Sequence, residues 1–148
     1  MSGGQSSRLY RELVDNKQLA LQVGSFPIPF NEPAINLTFA FSNMGIDPQE
    51  LEAAMDTEIE KVRNELIPEK EFQKLKNQYE NQIIGGNYKI AERAHNLATA
   101  YTYFGDASLI NKELDHYMAV TREDIQRVAQ EYFTDDNRVV LYYLPKQN

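Results

Sequence analysis

The spacing of apolar side chains changes repeatedly along the 148-residue chain, and each change marks a new element. Between Ser6 and Asn16, Leu9 and Leu13 recur at helical spacing with Tyr10 and Val14 beside them, and Ser6 or Ser7 stands where a helix cap belongs. From Leu19 the period falls to two. Leu21 and Val23 alternate with Gln22 and Gly24, which predicts a strand over about 19–26. Pro27, Pro29 and Pro33 in "PIPFNEP" predict a turn or irregular crossing. Ile35, Leu37, Phe39 and Phe41 then alternate with Asn36, Thr38, Ala40 and Ser42, a second strand over 34–42 with one apolar and one small or polar face.

Helical spacing follows. Asp47 stands as a cap, with Pro48 at the first helical position and Glu50 in a box-like arrangement. Leu51, Met55, Ile59, Val62 and Leu66 make the stripe of this helix. Pro68 restarts the pattern with Phe72, Leu75, Tyr79 and Ile83, and Gly85-Gly86 is expected to end it. A further helix, from about Asn87 to Phe104, is expected to bury Ile90, Ala94, Leu97, Ala98 and Tyr101, and Gly105-Asp106 stops it. A short helix covers Ser108 to Tyr117. Thr121, with Asp124 three residues on, opens the last one, carried by Ile125, Val128, Ala129 and Tyr132. "NRVVLYYLP" predicts a third strand over 137–144, ended by Pro145.

Strands followed by a run of helices indicate an α+β fold, with a partial antiparallel sheet covered on one face by several helices. Three strands are few for so many helical stripes. The sheet is expected to keep unpaired edges, through which the chain would self-associate.

Composition narrows the function. The net charge of −7 disfavours phosphate backbones, so nucleic acid is not an expected partner. The absence of cysteine removes disulfides, thiol nucleophiles and cysteine-based zinc sites. No apolar run approaches the ~18 residues of a membrane span, and the N-terminus lacks a signal pattern. A soluble chain is expected, with bacterial periplasm and cytoplasm both left open.

The two histidines repeat one local pattern, Glu92-x-x-His95 and Glu113-x-x-His116. Glu-x-x-His puts a carboxylate and an imidazole one turn apart, and helical di-metal carboxylate proteins use two such pairs with two further glutamates. The competing reading is a pair of partly exposed histidines beside carboxylates, because Glu92 and His95 fall away from the apolar stripe of their helix. Ser6-Ser7 read as cap and turn residues, and Gly3-Gly4 lack the lysine and strand context of a phosphate loop. The residues by themselves assign no catalytic group and no metal ligand.

The segment "GGQSSRLYRELVDNKQLALQVGSF" resembles the pitrilysin/insulinase-type zinc metallopeptidases of family M16, where a Gly-rich turn and Ser-Ser-Arg-Leu-(Tyr/Phe) lead through a short helix into a strand. "GIDPQELEAAMDTEIEKVRNELIPEKEFQKLKNQYENQI" resembles the helix pair that follows, and "YFGDASLINKELDHYMAVTREDIQRVAQEYFTDDNRVVLYYLP" the closing module. The resemblance implies an M16-like domain, the whole of 1–148 forming one truncated C-terminal unit that lacks its first strands. Zinc in that family sits on a His-x-x-Glu-His motif in the partner domain. This chain has no such motif. The implied role is therefore non-catalytic: closing the chamber of a zinc metalloendopeptidase and contacting its peptide substrate, with no cofactor of its own and no activity alone. A structural, inactive partner subunit is the alternative. The C-terminal domain of active members often supplies an arginine and, seven positions on, a tyrosine that hold substrate. The matching positions here are Val14 and Leu21, which cannot donate hydrogen bonds to a substrate carbonyl or an oxyanion.

Overall fold

The computed structural model describes residues 4–28 and 34–144. Pro29, Pro33 and Pro145, on which a turn and a strand end were expected, lie outside the described residues. The chain divides into two compact units, one built from the residues up to Glu65 and from Val128 onward, the other from Leu66–Arg127.

The first unit opens with α1 (Arg8–Tyr10), which runs directly into a π-helical segment, Arg11–Asn16. Ser7 stands at the cap, but its hydroxyl makes no capping bond and is buried with no partner among the described residues. The turn is instead closed by main chain, with the Ser7 N–H donating to the Gly4 carbonyl at 3.0 Å. Leu9 and Leu13 are fully buried, and with Leu19, Ala20, Val23, Leu51 and Ala54 they form the core. Strands β1 (Ala20–Ile28) and β2 (Ile35–Ser42) pair as an antiparallel hairpin. Helix α2 (Pro48–Asn64) starts as its sequence requires: the Asp47 carboxylate accepts the Gln49 N–H at 2.9 Å, and Pro48 occupies the first turn.

The hairpin packs its small face inward. Val23 lies opposite Ala40 and both belong to the core side, followed outward by Ser25 and Thr38, whose hydroxyls bond at 2.9 Å. The opposite face carries Phe26, Leu37, Phe39 and Phe41, with Phe39 edge-on to Phe26 at 6.3 Å and to Phe41 at 5.7 Å. The Phe39 ring lies over Gly24, where a Cβ would come within 2.4 Å of it. Helices thus cover one face of the sheet, as expected, while the aromatic face is largely exposed.

The third expected strand does not form. After a 3-10 turn at Asp135–Asn137, residues 138–144 pair with no strand among the described residues. A strand is made by its neighbour's main chain, and no described strand supplies one. Side chains hold the segment instead: Arg138 bonds the Asp56 carboxylate and reaches Glu52 at 3.6 Å, and the Tyr142 hydroxyl donates to Glu52.

The second unit is helical. It contains α3 (Glu69–Tyr88), α4 (Ile90–Phe104), a 3-10 turn (Ala107–Asn111), α5 (Glu113–Ala119) and the first residues of α6 (Arg122–Tyr132). Gly85-Gly86 do not end α3, which continues to Tyr88 and breaks only at extended Lys89. Glycine inside a helix costs about 1 kcal/mol, which is not enough to end one against neighbouring turns. Gly105 does end α4, at φ +71. Tyr79 of α3 stacks on Tyr117 of α5 at 5.0 Å, and Lys76 Nζ donates to the Met118 carbonyl at 2.7 Å. Thr121 and Asp124 form a reciprocal capping box: the Asp124 N–H donates to the Thr121 hydroxyl at 3.1 Å, and the Thr121 N–H donates to the Asp124 carboxylate at 3.0 Å. The stripe expected to be buried on α4 is exposed, with Ile90 at 88% and Ala94, Leu97, Ala98 and Tyr101 also open; Ala100, on another face, is the buried residue.

Candidate functional site

Departures from regular backbone geometry concentrate between residues 11 and 22. Arg11–Asn16 wind as a π-helix, a form in which each bond reaches one residue further and one extra residue is accommodated. Lys17 N–H accordingly donates to the Glu12 carbonyl at 2.9 Å, and past the end of the helix Leu19 N–H closes a wider turn onto the Leu13 carbonyl at 2.9 Å. Gln18 then takes the left-handed conformation, φ 54. Two residues on, β1 has a bulge: Ala20 faces Ser42 but Gln22 faces Phe41, so Leu21 is the extra residue. Asn43 clamps the corner from β2's end. Its N–H donates to the Leu19 carbonyl at 2.9 Å and its side-chain amide to the Gln18 carbonyl at 3.0 Å.

π-Turns, left-handed non-glycine residues and bulges gather at functional sites because they re-aim side chains that a regular element could not. The positions singled out by resemblance lie on two of these features. Val14 is within the π-helix and Leu21 is the bulged residue. The two have different surroundings. Val14 is partly buried against the core, whereas Leu21 is 62% exposed. Neither presents a donor, acceptor or titratable group.

The charges nearby fix structure. Glu12, in the π-helix, accepts from Asn16 at 2.9 Å and lies 3.6 Å from Lys17. The Asn16 bond, with the lysine charges, holds its carboxyl below the usual range against the opposing effect of burial. A carboxylate kept ionised in this way is a poor general base. Glu58 of α2 is the buried charge the sequence reading passed over; it is 2% exposed and is bonded by Lys61, whose ammonium it holds up. Its spacing from Leu51, Ala54 and Val62 places it on the apolar stripe, which is the signal that could have found it.

No metal centre is assembled among the described residues, since no three His, Asp or Glu side chains converge to hold an ion. His95 and His116 are exposed, and Glu92 pairs with Lys89 at 2.9 Å. The two Glu-x-x-His pairs therefore do not form the shared di-metal site considered from sequence. Nor is any described helix long and apolar enough to cross a membrane.

Comparison with known proteins gives these features a context. The sequence profile described as "Peptidase M16 inactive domain" matches residues 1–79. The chain is 27% identical over 142 residues to the zinc protease PqqE of Helicobacter pylori, covering 96% of this chain and 32% of that protein. It therefore spans about a third of that relative's length. The crystal structure of a protease from Helicobacter pylori superimposes with a TM-score of 0.81 at 28% identity, over 90% of this chain and 32% of the other. The inactive peptidase domain of a candidate zinc protease from Bordetella parapertussis has the same fold, with a TM-score of 0.87 at 21% identity, over 99% of this chain and 79% of that one.

Proposed function

The chain belongs to the peptidase M16 inactive-domain family, and from this we propose that it is the later part of a non-catalytic domain that works opposite a zinc-bearing M16 domain. In this reading it closes the chamber of a zinc metalloendopeptidase and contacts the extended peptide held there. The carrying observation is the corner at residues 11–22, where a π-helix, a left-handed residue and a bulge bring Val14 and Leu21 onto irregular backbone. With apolar side chains at both positions, contact with peptide falls to shape and main-chain pairing, which demand no particular side chain. Zinc belongs to the partner domain. Among the described residues no ligand set converges, so they do not fit it, and no chemical step is derived through it.

The test compares peptide hydrolysis by the zinc-bearing domain alone, by this chain alone, and by the two together. The reading expects no hydrolysis by this chain alone and a clear gain on mixing. A zinc-bearing domain that is fully active and unchanged by the addition would refute it.

A structural subunit that keeps the fold without contacting substrate is the second reading, favoured by the loss of polar groups at both positions. Val14→Arg with Leu21→Tyr separates the two. Under the substrate-contact reading the double variant changes KM or kcat of the mixed enzyme. Under the structural reading hydrolysis is unmoved.

A further inference from the structure

We propose that Tyr79 and Tyr117 are an oxidative cross-linking site, at which a one-electron oxidant couples the two rings and ties α3 to α5. This inference stands apart from the peptidase reading. Both residues belong to the helical unit Leu66–Arg127. Their rings stack, with 5.0 Å between centroids and 13° between planes. A second contact between the same two helices holds them in register. Lys76, one turn before Tyr79, donates from Nζ to the carbonyl of Met118, beside Tyr117, at 2.7 Å. The Lys76 ammonium also lies 4.7 Å from the centre of the buried Phe72 ring, which anchors it to the body of α3. The two rings are therefore placed side by side before any oxidant arrives. They are also reachable, since Tyr79 is 43% and Tyr117 42% exposed.

Stacked tyrosines are ordinary packing in most proteins. Here the composition of the chain adds a second argument. It contains no cysteine and no tryptophan, the side chains that would otherwise compete with tyrosine for a one-electron oxidant or drain a tyrosyl radical. Its four methionines take up oxygen in a two-electron reaction instead. A radical formed at Tyr79 or Tyr117 therefore persists beside its partner. Each phenol gives up one electron and its hydroxyl proton, which leaves a radical spread over the oxygen and the ring carbons ortho and para to it. The two radicals pair their electrons in one new bond between ortho carbons. The hydrogen on each of those carbons then moves to the oxygen, and both phenols are restored. The net loss is two electrons and two protons, which a haem peroxidase passes to hydrogen peroxide to give two waters. Holding the reacting groups together makes the coupling step effectively unimolecular, so it outruns encounters between separate chains.

The test treats the full chain, at low micromolar concentration, with a haem peroxidase and hydrogen peroxide. Blue dityrosine fluorescence should appear in material that still runs as a single chain and has lost the mass of two hydrogens. Tryptic mapping should join the peptide of residues 77–89 to that of residues 113–122. Tyr79→Phe and Tyr117→Phe each keep a ring in the stack and remove only the hydroxyl, so both should fold, and each should lower the yield by about tenfold or more. Tyr88→Phe, which alters the other tyrosine of the first peptide, should leave the yield unchanged. The link would enclose α4 in a closed loop, as a disulfide does, and should raise the midpoint temperature by on the order of 10 °C. Dityrosine found only between chains, a yield that survives Tyr79→Phe or Tyr117→Phe, or no dityrosine at all would each overturn the proposal. So would a linked chain that melts no higher than the untreated one, because its rings would then have met through unfolding.

Discussion

Replacing Gln18 by glycine should stabilise the chain although it removes a side chain. Gln18 occupies the left-handed region, φ 54, at the exit of the π-helix, and its side chain is exposed. The left-handed conformation costs an ordinary residue about 1–2 kcal/mol through the clash of Cβ with the following carbonyl oxygen. Glycine escapes that cost but gives the unfolded chain more freedom, which returns about 0.4–1 kcal/mol. The net expectation is a gain of about 0.5–1 kcal/mol, a rise in midpoint temperature of about 1–4 °C for a chain of this size. The corner's remaining bonds, from Asn43 to the Gln18 and Leu19 carbonyls, are made to main chain and survive the change. Gln18→Val isolates the cause: it keeps Cβ, adds branching, and should cost about 1–2 kcal/mol, because β-branched residues are outliers in this region. Urea unfolding measures both, and hydrogen exchange at the Lys17 and Leu19 amides locates the effect in the corner. A glycine variant less stable than the wild type, or a valine variant equal to it, would refute the argument that backbone strain is held at Gln18.

Leu13→Ala should cost about 2–5 kcal/mol in urea unfolding, because Leu13 is fully buried, whereas Leu21→Ala, at a largely exposed position, should stay within about 0.5 kcal/mol. Gly24→Ala should cost about 1–2 kcal/mol, since its Cβ would meet the Phe39 ring at 2.4 Å, and the penalty should largely vanish in a Phe39→Ala background, read as a double-mutant cycle. The Asp124 carboxyl is held below its ordinary range, first by the Thr121 hydroxyl and then by the Thr121 N–H. A carboxylate with a depressed folded-state pKa contributes stability that is complete above its unfolded value, near 3.8, and is lost as the pH falls through the folded one. Thermal melts of Asp124→Asn should therefore be less stable than wild type near neutrality and converge with it in acid; an equal gap at every pH would remove Asp124 from the acid response.

The parts of the fold visible in the sequence are those whose cause is local. Asp47-Pro48, the Thr121/Asp124 box and Gly105 act through bonds within a few residues, and each works where it was placed. The two strands were legible for the same reason, since a period of two shows in any short window. What failed depends on distant neighbours. The alternation of 137–144 is strand-like, yet pairing requires another strand beside it. The apolar stripe of α4 was read as core, but periodicity reports only that a face is apolar and does not say what covers it. The π-helix and the bulge left no periodic trace, because each inserts a single residue that no residue type marks. Gln18 hid its left-handed turn by not being glycine.

The backbone course of the corner and the side chains it carries are set by largely separate forces. The corner at 11–22 is held by main-chain bonds, by Asn43 and by the burial of Leu9 and Leu13; Val14 packs against that core, while the exposed Leu21 side chain takes no part in it. Substitution at Leu21 therefore leaves the backbone's course intact. Leu21 sits on the bulge where a side chain is aimed outward, and Val14 adds its methyl groups to the core edge. An apolar pair at such places removes directed hydrogen bonding while preserving shape. Under the proposed function, that combination would suit a surface that steadies an extended chain without polarising any bond in it, the chemistry being carried out by the domain opposite.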